Sequence, residues 1–266
     1  MNLISKIGVF DSGLGGLTVL NEICKHNTGL KIIYFGDTAR VPYGSRTPET
    51  IARYAEQDVR FLLSKGVEAI VIACGTVSAT CLGILNTRYK IPIVGVIEAA
   101  SSEAVKVTKT KHVAVIGTKA TIKSNAYSEL IHSADPDVKV TGIACPLLVP
   151  LIENGFTPND PLVRMTLERY LDSIQKTDID TLVLGCTHYP YLQNVIQDML
   201  PSMKLINIGT ALATNLRNKF NLKNGQSGNS VQYYVSDEDT EFQKIANSYL
   251  DSIQANNVQK INIELF

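Results

Sequence analysis

The chain has 266 residues, with 25 basic and 25 acidic side chains and therefore a formal net charge of zero. This length fits one large or two smaller domains, and 45% hydrophobic with 19% charged residues is typical of soluble globular proteins. The absence of a basic cluster and of a long uncharged apolar run argues against binding to nucleic acid or spanning a membrane.

The cysteine content indicates a reducing environment. The five cysteines are Cys24, Cys74, Cys81, Cys145 and Cys186. Their odd number and the absence of a Cys-x-x-Cys pair fit neither a disulfide framework nor a structural zinc site. The first residues, Met1 to Lys6, also lack the basic start and the apolar stretch of a signal peptide. We therefore expect a cytoplasmic protein with free thiols.

In chain order, short apolar runs alternate with helical patterns. Lys6 to Phe10 predicts a strand, and Asp11-Ser-Gly-Leu-Gly-Gly-Leu17 predicts a tight turn into a helix that ends near His26. Further strands are predicted at residues 31–36, 69–74, 91–96, 112–117, 138–144, 182–186, 204–208, 231–235 and 261–266. Further helices are predicted at residues 47–65, 79–86, 99–107, 121–132, 147–153, 161–174, 190–200, 210–219 and 238–253. The strand, glycine and polar turn that begin at His112 repeat the opening of the chain.

The repeated alternation of strands and helices predicts an α/β fold. In such a fold, parallel sheets are covered by helices on both faces, and ligands bind at the carboxyl ends of the strands. Asp11, Cys74, Thr118 and Cys186 all fall at predicted strand ends. We therefore expect a functional site at these ends.

Two stretches of the chain match each other and suggest acid–base chemistry. In Ala69 to Ser78 and in Leu182 to Pro190, an apolar run ends at a cysteine, and a threonine follows within two residues. Two thiols that face each other across a cleft can remove a proton from one face of a carbon acid and return one to the other face. The ordinary pKa of cysteine, about 8.5, is lowered beside a helix N-terminus or a cation. Alternatively, each cysteine is a small buried hydrophobic residue.

These stretches and three others resemble the glutamate racemases, which belong to the cofactor-independent aspartate/glutamate racemases. The similar motifs are FDSGLGGLTVL at Phe10 to Leu20, YFGDTARVPYG at Tyr34 to Gly44, ACGTVSA at Ala73 to Ala79, VIGTKAT at Val115 to Thr121 and LGCTHYP at Leu184 to Pro190. The resemblance runs from about residue 7 to residue 210 in the order of the family.

The resemblance implies an α/β fold of two pseudo-symmetric domains, each a parallel sheet flanked by helices, with the active site in the cleft between them. Residues 1–97 and 208–266 would form the domain with Asp11 and Cys74, and residues 98–207 the domain with Thr118 and Cys186. The implied activity is interconversion of L- and D-glutamate without pyridoxal phosphate or a metal. The resemblance further implies a supply of D-glutamate for peptidoglycan synthesis, and a homodimer.

The resemblance also implies the catalytic residues. Cys74 would act on D-glutamate and Cys186 on L-glutamate. Asp11 would take part in proton handling near Cys74, and His188 would do so near Cys186, with assistance from Glu153. The structural alternatives are a helix cap for Asp11, a structural role for His188 and a solvated helix position for Glu153.

The residues that hold the substrate are implied in the same way. They are Asp11, Ser12, Pro42, Tyr43, Gly44, Ser45, Gly75, Thr76, Thr118, Thr121, Thr187 and His188. Hydroxyls and backbone N–H groups at helix N-termini suit carboxylates, and donors placed around a carbanionic transition state stabilise it. For each threonine, ordinary helix capping is the alternative, and both roles can hold at once.

Gly75 departs from the family, which usually has asparagine after the first catalytic cysteine. A hydrogen bond from an amide to a charged group contributes about 1.5–3 kcal/mol. If nothing has replaced that amide, Gly75→Asn is expected to raise kcat/KM for glutamate by roughly ten- to a hundredfold.

Two other functions fit the same residues. One is a related racemase for another amino acid, such as aspartate, and the other is a binding or regulatory protein that keeps the fold without turnover. A dinucleotide site is disfavoured, because the glycines of residues 11–16 match that fingerprint only loosely and no acidic residue completes a ribose site. Circular dichroism with both enantiomers of glutamate would separate these functions.

Overall fold

The computed structural model describes residues 3–175, 177–223, 225, 228–237, 240, 242–243, 246–247, 250 and 254–266. The strands are β1 (Lys6–Asp11), β2 (Lys31–Gly36), β3 (Ala69–Ile72), β4 (Ile93–Gly95), β5 (His112–Gly117), β6 (Lys139–Ala144), β7 (Thr181–Leu184), β8 (Lys204–Asn207), β9 (Ser230–Val235) and β10 (Gln259–Lys260). The helices are α1 (Gly16–His26), α2 (Pro48–Ser64), α3 (Gly75–Thr80), α4 (Leu82–Arg88), α5 (Val96–Val107), α6 (Lys119–Lys123), α7 (Ala126–Ala134), α8 (Leu148–Glu153), α9 (Pro161–Gln175), α10 (Gln193–Met199) and α11 (Ile208–Lys219).

The strands form two parallel sheets that repeat one topology. The first sheet has the order β10-β9-β2-β1-β3-β4, and the second has the order β6-β5-β7-β8. Strands β2-β1-β3-β4 therefore correspond one by one to β6-β5-β7-β8, while β9 and β10 extend the first sheet beyond β2. The predicted α/β fold with two similar halves is confirmed. The domain boundaries at residues 97 and 208 stay a prediction.

The first sheet is buried on both faces, which explains its nearly continuous apolar strands. On β1, Ile7 and Val9 pack in the same cluster as Leu17 of α1, whereas Phe10 points to the other face and packs with Phe61 of α2. This alternation follows from the period of two of a strand. The sheet is thereby held between α1 on one face and α2 on the other.

The second sheet is covered in the same way by amphipathic helices. Along α9, the buried residues Val163, Leu167, Leu171 and Ile174 recur every three or four positions and lie on one face of the helix. They share a hydrophobic cluster with Leu182 of β7. No helix in the described part of the chain is long and apolar enough to cross a membrane.

Several predicted elements differ from the observed ones at their ends. The strand predicted at 69–74 ends at Ile72, so Cys74 lies in the turn beyond it. The helix predicted at 121–132 is divided into α6 and α7 at Asn125, whose φ of 59° is left-handed. Asparagine tolerates this conformation better than most residues. The helix predicted at 79–86 is likewise divided, at Cys81, into α3 and α4.

The predicted C-terminal strand at 261–266 is wrong. The strand β10 ends at Lys260, and Ile263–Leu265 form a 3-10 turn. The side chain of Asn262 accepts a hydrogen bond from the backbone N–H of Glu264 at 3.0 Å, which favours the turn over an extended strand. The helix predicted at 238–253 lies largely outside the described residues.

Candidate active site

The predicted site residues lie at the carboxyl ends of neighbouring strands. In the first sheet, β1 pairs with β3, so Asp11 at the end of β1 lies near Cys74, which follows β3 by two residues. In the second sheet, β5 pairs with β7, which places Thr118 near Cys186 in the equivalent positions. The repeated topology thus supplies one cysteine from each half.

Both cysteines line one narrow cavity between the two halves. Its lining consists of Ser12, Pro42, Tyr43, Gly44, Cys74, Gly75, Thr76, Thr118, Val149, Cys186, Thr187 and His188. The cavity has a volume of about 10 Å³, which leaves room for about one water molecule. The cavity is therefore closed in this structure and too small to hold an amino acid.

Cys74 has an environment that favours the neutral thiol. Its side chain is 4% exposed, and its Sγ donates to Oγ of Ser12 at 3.7 Å. Burial raises the pKa of Cys74, and the charge of Asp11 raises it further. Cys74 therefore holds its proton in this structure.

Cys186 instead lies beside a cation. Nδ1 of His188 is 3.7 Å from Sγ of Cys186, and Nε2 is 2.5 Å from Oε1 of Glu153. Burial lowers the pKa of His188, but its hydrogen bonds to Cys186 and Glu153 raise that pKa well above the usual value. For Glu153, burial raises the pKa, but the hydrogen bond and the charge of His188, together with the backbone N–H of Leu14, leave it below the usual value. An imidazolium and a carboxylate thus form an ion pair next to Cys186.

Asp11 joins the two halves of the molecule. Its Oδ2 accepts a hydrogen bond from the backbone N–H of Gly13 at 3.0 Å, and its Oδ1 accepts one from Oγ1 of Thr187 at 3.3 Å. Burial raises the pKa of Asp11, and His188 opposes that rise. The N-cap residue of α1 is Gly15, but the Asp11 carboxylate accepts from the backbone N–H of Gly16 at the start of that helix, which lowers the pKa of Asp11, so the capping alternative and the place near the cavity hold together.

Three threonines form a hydroxyl chain that crosses the cleft. Oγ1 of Thr76 lies 3.0 Å from Oγ1 of Thr118, which lies 3.0 Å from Oγ1 of Thr121. Thr118 also caps α6, since its Oγ1 accepts the backbone N–H of Thr121 at 3.2 Å. Thr118 therefore both caps a helix and lines the cavity.

Four predicted site residues lie outside the cavity wall. Asp11, Thr121 and Glu153 reach it only through Thr187, Thr118 and His188, respectively. The exposed Ser45 contacts the carbonyl oxygen of Pro42 at 3.5 Å and lines a wider groove outside the cavity. The substrate contacts predicted for Asp11, Ser45 and Thr121 and the catalytic assistance predicted for Glu153 stay predictions.

A buried charge network beneath the loop of residues 42–45 was not predicted from the sequence. The hydroxyl of Tyr43 donates to Asp37 and, at 3.1 Å, to Asp58. Nε of Arg40 donates to Oδ2 of Asp37 at 2.6 Å, and Nη2 lies 3.4 Å from Oδ1 of Asp58. One feature of the sequence could have indicated this network: Asp58 is a carboxylate that lies among the buried apolar positions of α2. The network holds Tyr43 against the cavity.

Contacts of Thr18 and Tyr34 near the site were also not predicted from the sequence. Oγ1 of Thr18 donates to the carbonyl oxygen of Thr187 at 2.8 Å, across the two halves. The hydroxyl of Tyr34 donates to the carbonyl oxygen of Gly13 at 3.0 Å and supports the turn after β1. Neither residue stands out in the sequence, because one lies in a helix and the other in an apolar strand.

Backbone of the other half lies directly beside Gly75. A Cβ atom on Gly75 would lie 2.5 Å from the carbonyl oxygen of Gly185 in the other half. Real Cβ atoms do not approach backbone this closely, and a backbone oxygen cannot rotate away as a side chain can. The close approach of the two halves therefore depends on glycine at this position.

The sequence matches a family model described as Asp/Glu/Hydantoin racemase over residues 11–216. It is 42% identical to a glutamate racemase from Sulfurihydrogenibium sp. over 95% of this chain and 96% of that protein. It is 41% identical to a glutamate racemase from Geobacter metallireducens over 97% of both chains.

Solved structures of the same kind superpose closely on this fold. Glutamate racemase isoform RacE1 from Bacillus anthracis has a TM-score of 0.91 and 35% identity, with 97% of both chains covered. Glutamate racemase from Francisella tularensis, solved in complex with D-glutamate, has a TM-score of 0.88 and 34% identity, with 98% of this chain and 99% of that chain covered.

Removing the cation of the buried network should destabilise the protein. In Arg40→Gln, Asp37 and Asp58 lose their partner, and breaking a buried pair costs about 3–5 kcal/mol. Burial and the charge of Asp37 raise the pKa of Asp58 in the folded protein, so its ionisation opposes folding. The loss of unfolding free energy should therefore shrink as the pH falls and Asp58 takes up a proton.

Urea unfolding of Arg40→Gln at several pH values tests this expectation. The matched control is Arg53→Gln, which removes an exposed arginine from the helix that carries Asp58. It should change the unfolding free energy by less than about 0.5 kcal/mol. Equal stability of the two variants at neutral pH would show that the network contributes nothing.

The carbonyl oxygen of Gly185 beside Gly75 reverses the expectation that Gly75→Asn raises kcat/KM. Gly75→Asn and Gly75→Ala should both hinder closure, at a cost of about 1–3 kcal/mol for overpacking. We expect kcat/KM for glutamate, the substrate that the resemblance predicts, to fall roughly five- to a hundredfold in both variants.

Steady-state kinetics with both enantiomers tests the Gly75 variants. The control is Gly83→Ala, because a Cβ at Gly83 meets no atom within 4 Å. That variant should keep the wild-type kcat/KM. A gain of tenfold or more in Gly75→Asn would instead support the missing-amide argument and contradict the steric one.

Proposed function

Because the chain belongs to the Asp/Glu/hydantoin racemase family, we propose that its interconversion of L- and D-glutamate proceeds by direct proton transfer with Cys74 and Cys186. One observation carries this proposal: a cysteine from each half lines the same closed cavity. The choice of glutamate over aspartate rests on the relatives. They are named glutamate racemases, and they match nearly the full length of the chain.

The two cysteines have different neighbours. The cation of His188 lies 3.7 Å from Sγ of Cys186, where it can stabilise a thiolate. Cys74 has no such partner among the described residues, and burial keeps its proton in place. The position of the His188 cation therefore favours Cys186 as the base and Cys74 as the acid when L-glutamate binds.

The proton transfer then proceeds in two steps on opposite faces of the substrate. The thiolate of Cys186 takes the α-proton of L-glutamate, and the electron pair of that C–H bond remains on the substrate as a carbanion. The thiol of Cys74 next gives its proton to the opposite face, which forms D-glutamate. Cys186 is now a thiol and Cys74 a thiolate, which is the arrangement that acts on D-glutamate.

The threonine hydroxyls stabilise the carbanion, and closure of the cleft strengthens their effect. Thr76 and Thr118 meet at 3.0 Å inside the cavity, so a substrate carboxylate that separates them can accept a hydrogen bond from each. Donors placed in advance around a developing charge lower the barrier, and they do so more strongly where water is excluded. Closure of the two halves is therefore part of the proposed mechanism.

Further proposals follow from the family resemblance. We propose that the protein acts in the cytoplasm as a homodimer, uses no cofactor, and supplies D-glutamate for peptidoglycan synthesis. The resemblance and the shared name of the relatives support these proposals. Light scattering of the purified protein would test the dimer.

Loss of either thiol should nearly abolish racemisation. Removal of a positioned acid or base costs roughly 10²- to 10⁴-fold in rate, and each cysteine is needed in both directions. We expect this loss for Cys74→Ala and for Cys186→Ala, measured by circular dichroism with each enantiomer. Cys24→Ala, which removes a buried thiol outside the cavity, should stay within a few-fold of the wild type. Near-normal turnover in either cavity variant would rule out the two-thiol mechanism.

Glu153 should orient His188 and keep it protonated, without touching the substrate. In Glu153→Gln, His188 loses a neighbouring charge that raises its pKa. His188 should then lose its proton at lower pH, so the alkaline limb of the kcat/KM profile should move down by roughly 1–3 pH units. Glu168→Gln, on the exposed side of α9, is the matched control. An unchanged alkaline limb in Glu153→Gln would contradict this role.

A further inference from the structure

Thr187 joins Cys186 to the cation of His188 along the chain, and the first half of the molecule holds Thr187 at two points. The hydroxyl of Thr187 donates to Oδ1 of Asp11 at 3.3 Å, and its carbonyl oxygen accepts a hydrogen bond from Oγ1 of Thr18 at 2.8 Å. Asp11 ends β1 and Thr18 lies in the first turn of α1, so both partners belong to one strand and the helix that follows it. The side chain and the backbone of Thr187 are therefore fixed from across the cleft.

The start of α1 leaves no room beside this turn. A Cβ atom on Gly15 would lie 2.5 Å from Nδ1 of His188 and would overlap the hydroxyl of Thr187. Gly15 has a φ of −56° and a ψ of −34°, which any residue adopts, so glycine is needed here for space. Next to Gly15, the backbone N–H of Leu14 donates to the carboxylate of Glu153. The ion pair of His188 and Glu153 thus lies directly against the backbone of the first half.

Thr18 can release its contact with Thr187 and keep a hydrogen-bond partner. Oγ1 of Thr18 also lies 2.9 Å from the carbonyl oxygen of Gly15 at the start of its own helix. A hydroxyl carries one proton, so Thr18 can donate to Gly15 when the halves are apart and to Thr187 when they meet. The contact between Thr18 and Thr187 therefore forms as the cleft closes and costs Thr18 little when it breaks.

We propose that Thr18 is a positioning residue for proton transfer at Cys186. The described residues that line the cavity do not include Thr18, so it acts through the backbone of Thr187 and not by contact with the substrate. By holding that backbone, Thr18 keeps Nδ1 of His188 at 3.7 Å from Sγ of Cys186. A displacement of about 1 Å can slow an enzymatic step roughly a hundredfold. This inference rests on the proposed role of Cys186 as the base for L-glutamate.

Steady-state kinetics of Thr18→Val with α-deuterated substrates tests the proposal. The substitution removes the hydroxyl and keeps the branched shape, so the carbonyl oxygen of Thr187 loses this donor. We expect kcat/KM for glutamate to fall roughly five- to a hundredfold. The fall must be equal for the two enantiomers, because they have equal free energies in solution.

The primary isotope effects should instead differ between the enantiomers. In Thr18→Val, the step in which Cys186 breaks the C–H bond becomes slower relative to the step at Cys74. The isotope effect on kcat/KM should therefore increase with α-deuterated L-glutamate and should not increase with α-deuterated D-glutamate. A general disturbance of the fold would not produce this difference.

Two variants serve as controls. Thr18→Ser keeps the hydroxyl and should restore kcat/KM to within a few-fold of the wild type. Thr214→Val removes a hydroxyl that donates within its own helix, to the carbonyl oxygen of Thr210 at 2.9 Å. That variant should leave kcat/KM and both isotope effects unchanged.

The outcomes separate this inference from the proposed function. A loss of kcat/KM that Thr18→Ser shares, or one that leaves both isotope effects unchanged, would overturn the positioning role. An isotope effect that increases with D-glutamate alone would support that role and contradict the assignment of Cys186 to L-glutamate. Near-normal turnover of Cys186→Ala would overturn both proposals, whereas wild-type kinetics in Thr18→Val beside an inactive Cys186→Ala would overturn this inference alone.

Discussion

Burial of two reactive thiols in one closed cavity is the constraint on which the rest of the site depends. A thiolate in a buried position loses solvation, so each cysteine needs a neighbour that compensates for its charge. His188 and Glu153 provide that compensation for Cys186. Within the described part of the chain, Cys74 has the backbone N–H of Val77 and the hydroxyl of Ser12 but no neighbouring cation, and Asp11 opposes its ionisation, so a thiolate there would depend on the substrate. The ammonium group of glutamate can serve as that missing cation.

The repeated topology explains how one fold brings two cysteines to one cavity. Each half places a cysteine two residues after the strand that neighbours its first strand, and the two sheets meet at these ends. At the cavity, the two halves meet through polar and backbone contacts, such as Asp11 with Thr187 and Gly75 with Gly185. The halves also share a hydrophobic cluster, which contains Val9 of the first half and Val115 and Val183 of the second. The polar contacts can separate and reform while the shared apolar core holds the halves together, which suits a cleft that admits a substrate.

The fold class and the equivalent positions of the two cysteines were predictable from the sequence, because both depend on local signals that recur twice; the catalytic role of the cysteines stays a prediction. Alternating apolar and helical patterns identified the strands, and the polar residues after each strand marked the site. Contacts that depend on packing between distant segments were not predictable: the support of Tyr43 by Arg40 and Asp58 is one example. Gly75 is another, since a missing amide is visible in the sequence, whereas the carbonyl of Gly185 that occupies its place is visible only in three dimensions.

The central claim is that protons move on opposite faces through two different thiols. Racemisation in D₂O, with no cofactor added and each enantiomer tested separately, examines this claim most directly. At early times, the account predicts deuterium at the α-carbon of the product enantiomer and almost none in the remaining substrate, because the proton taken by one thiol is not returned to the same face. Equal deuterium in remaining substrate and product at early times would indicate a single base serving both faces and would contradict the account.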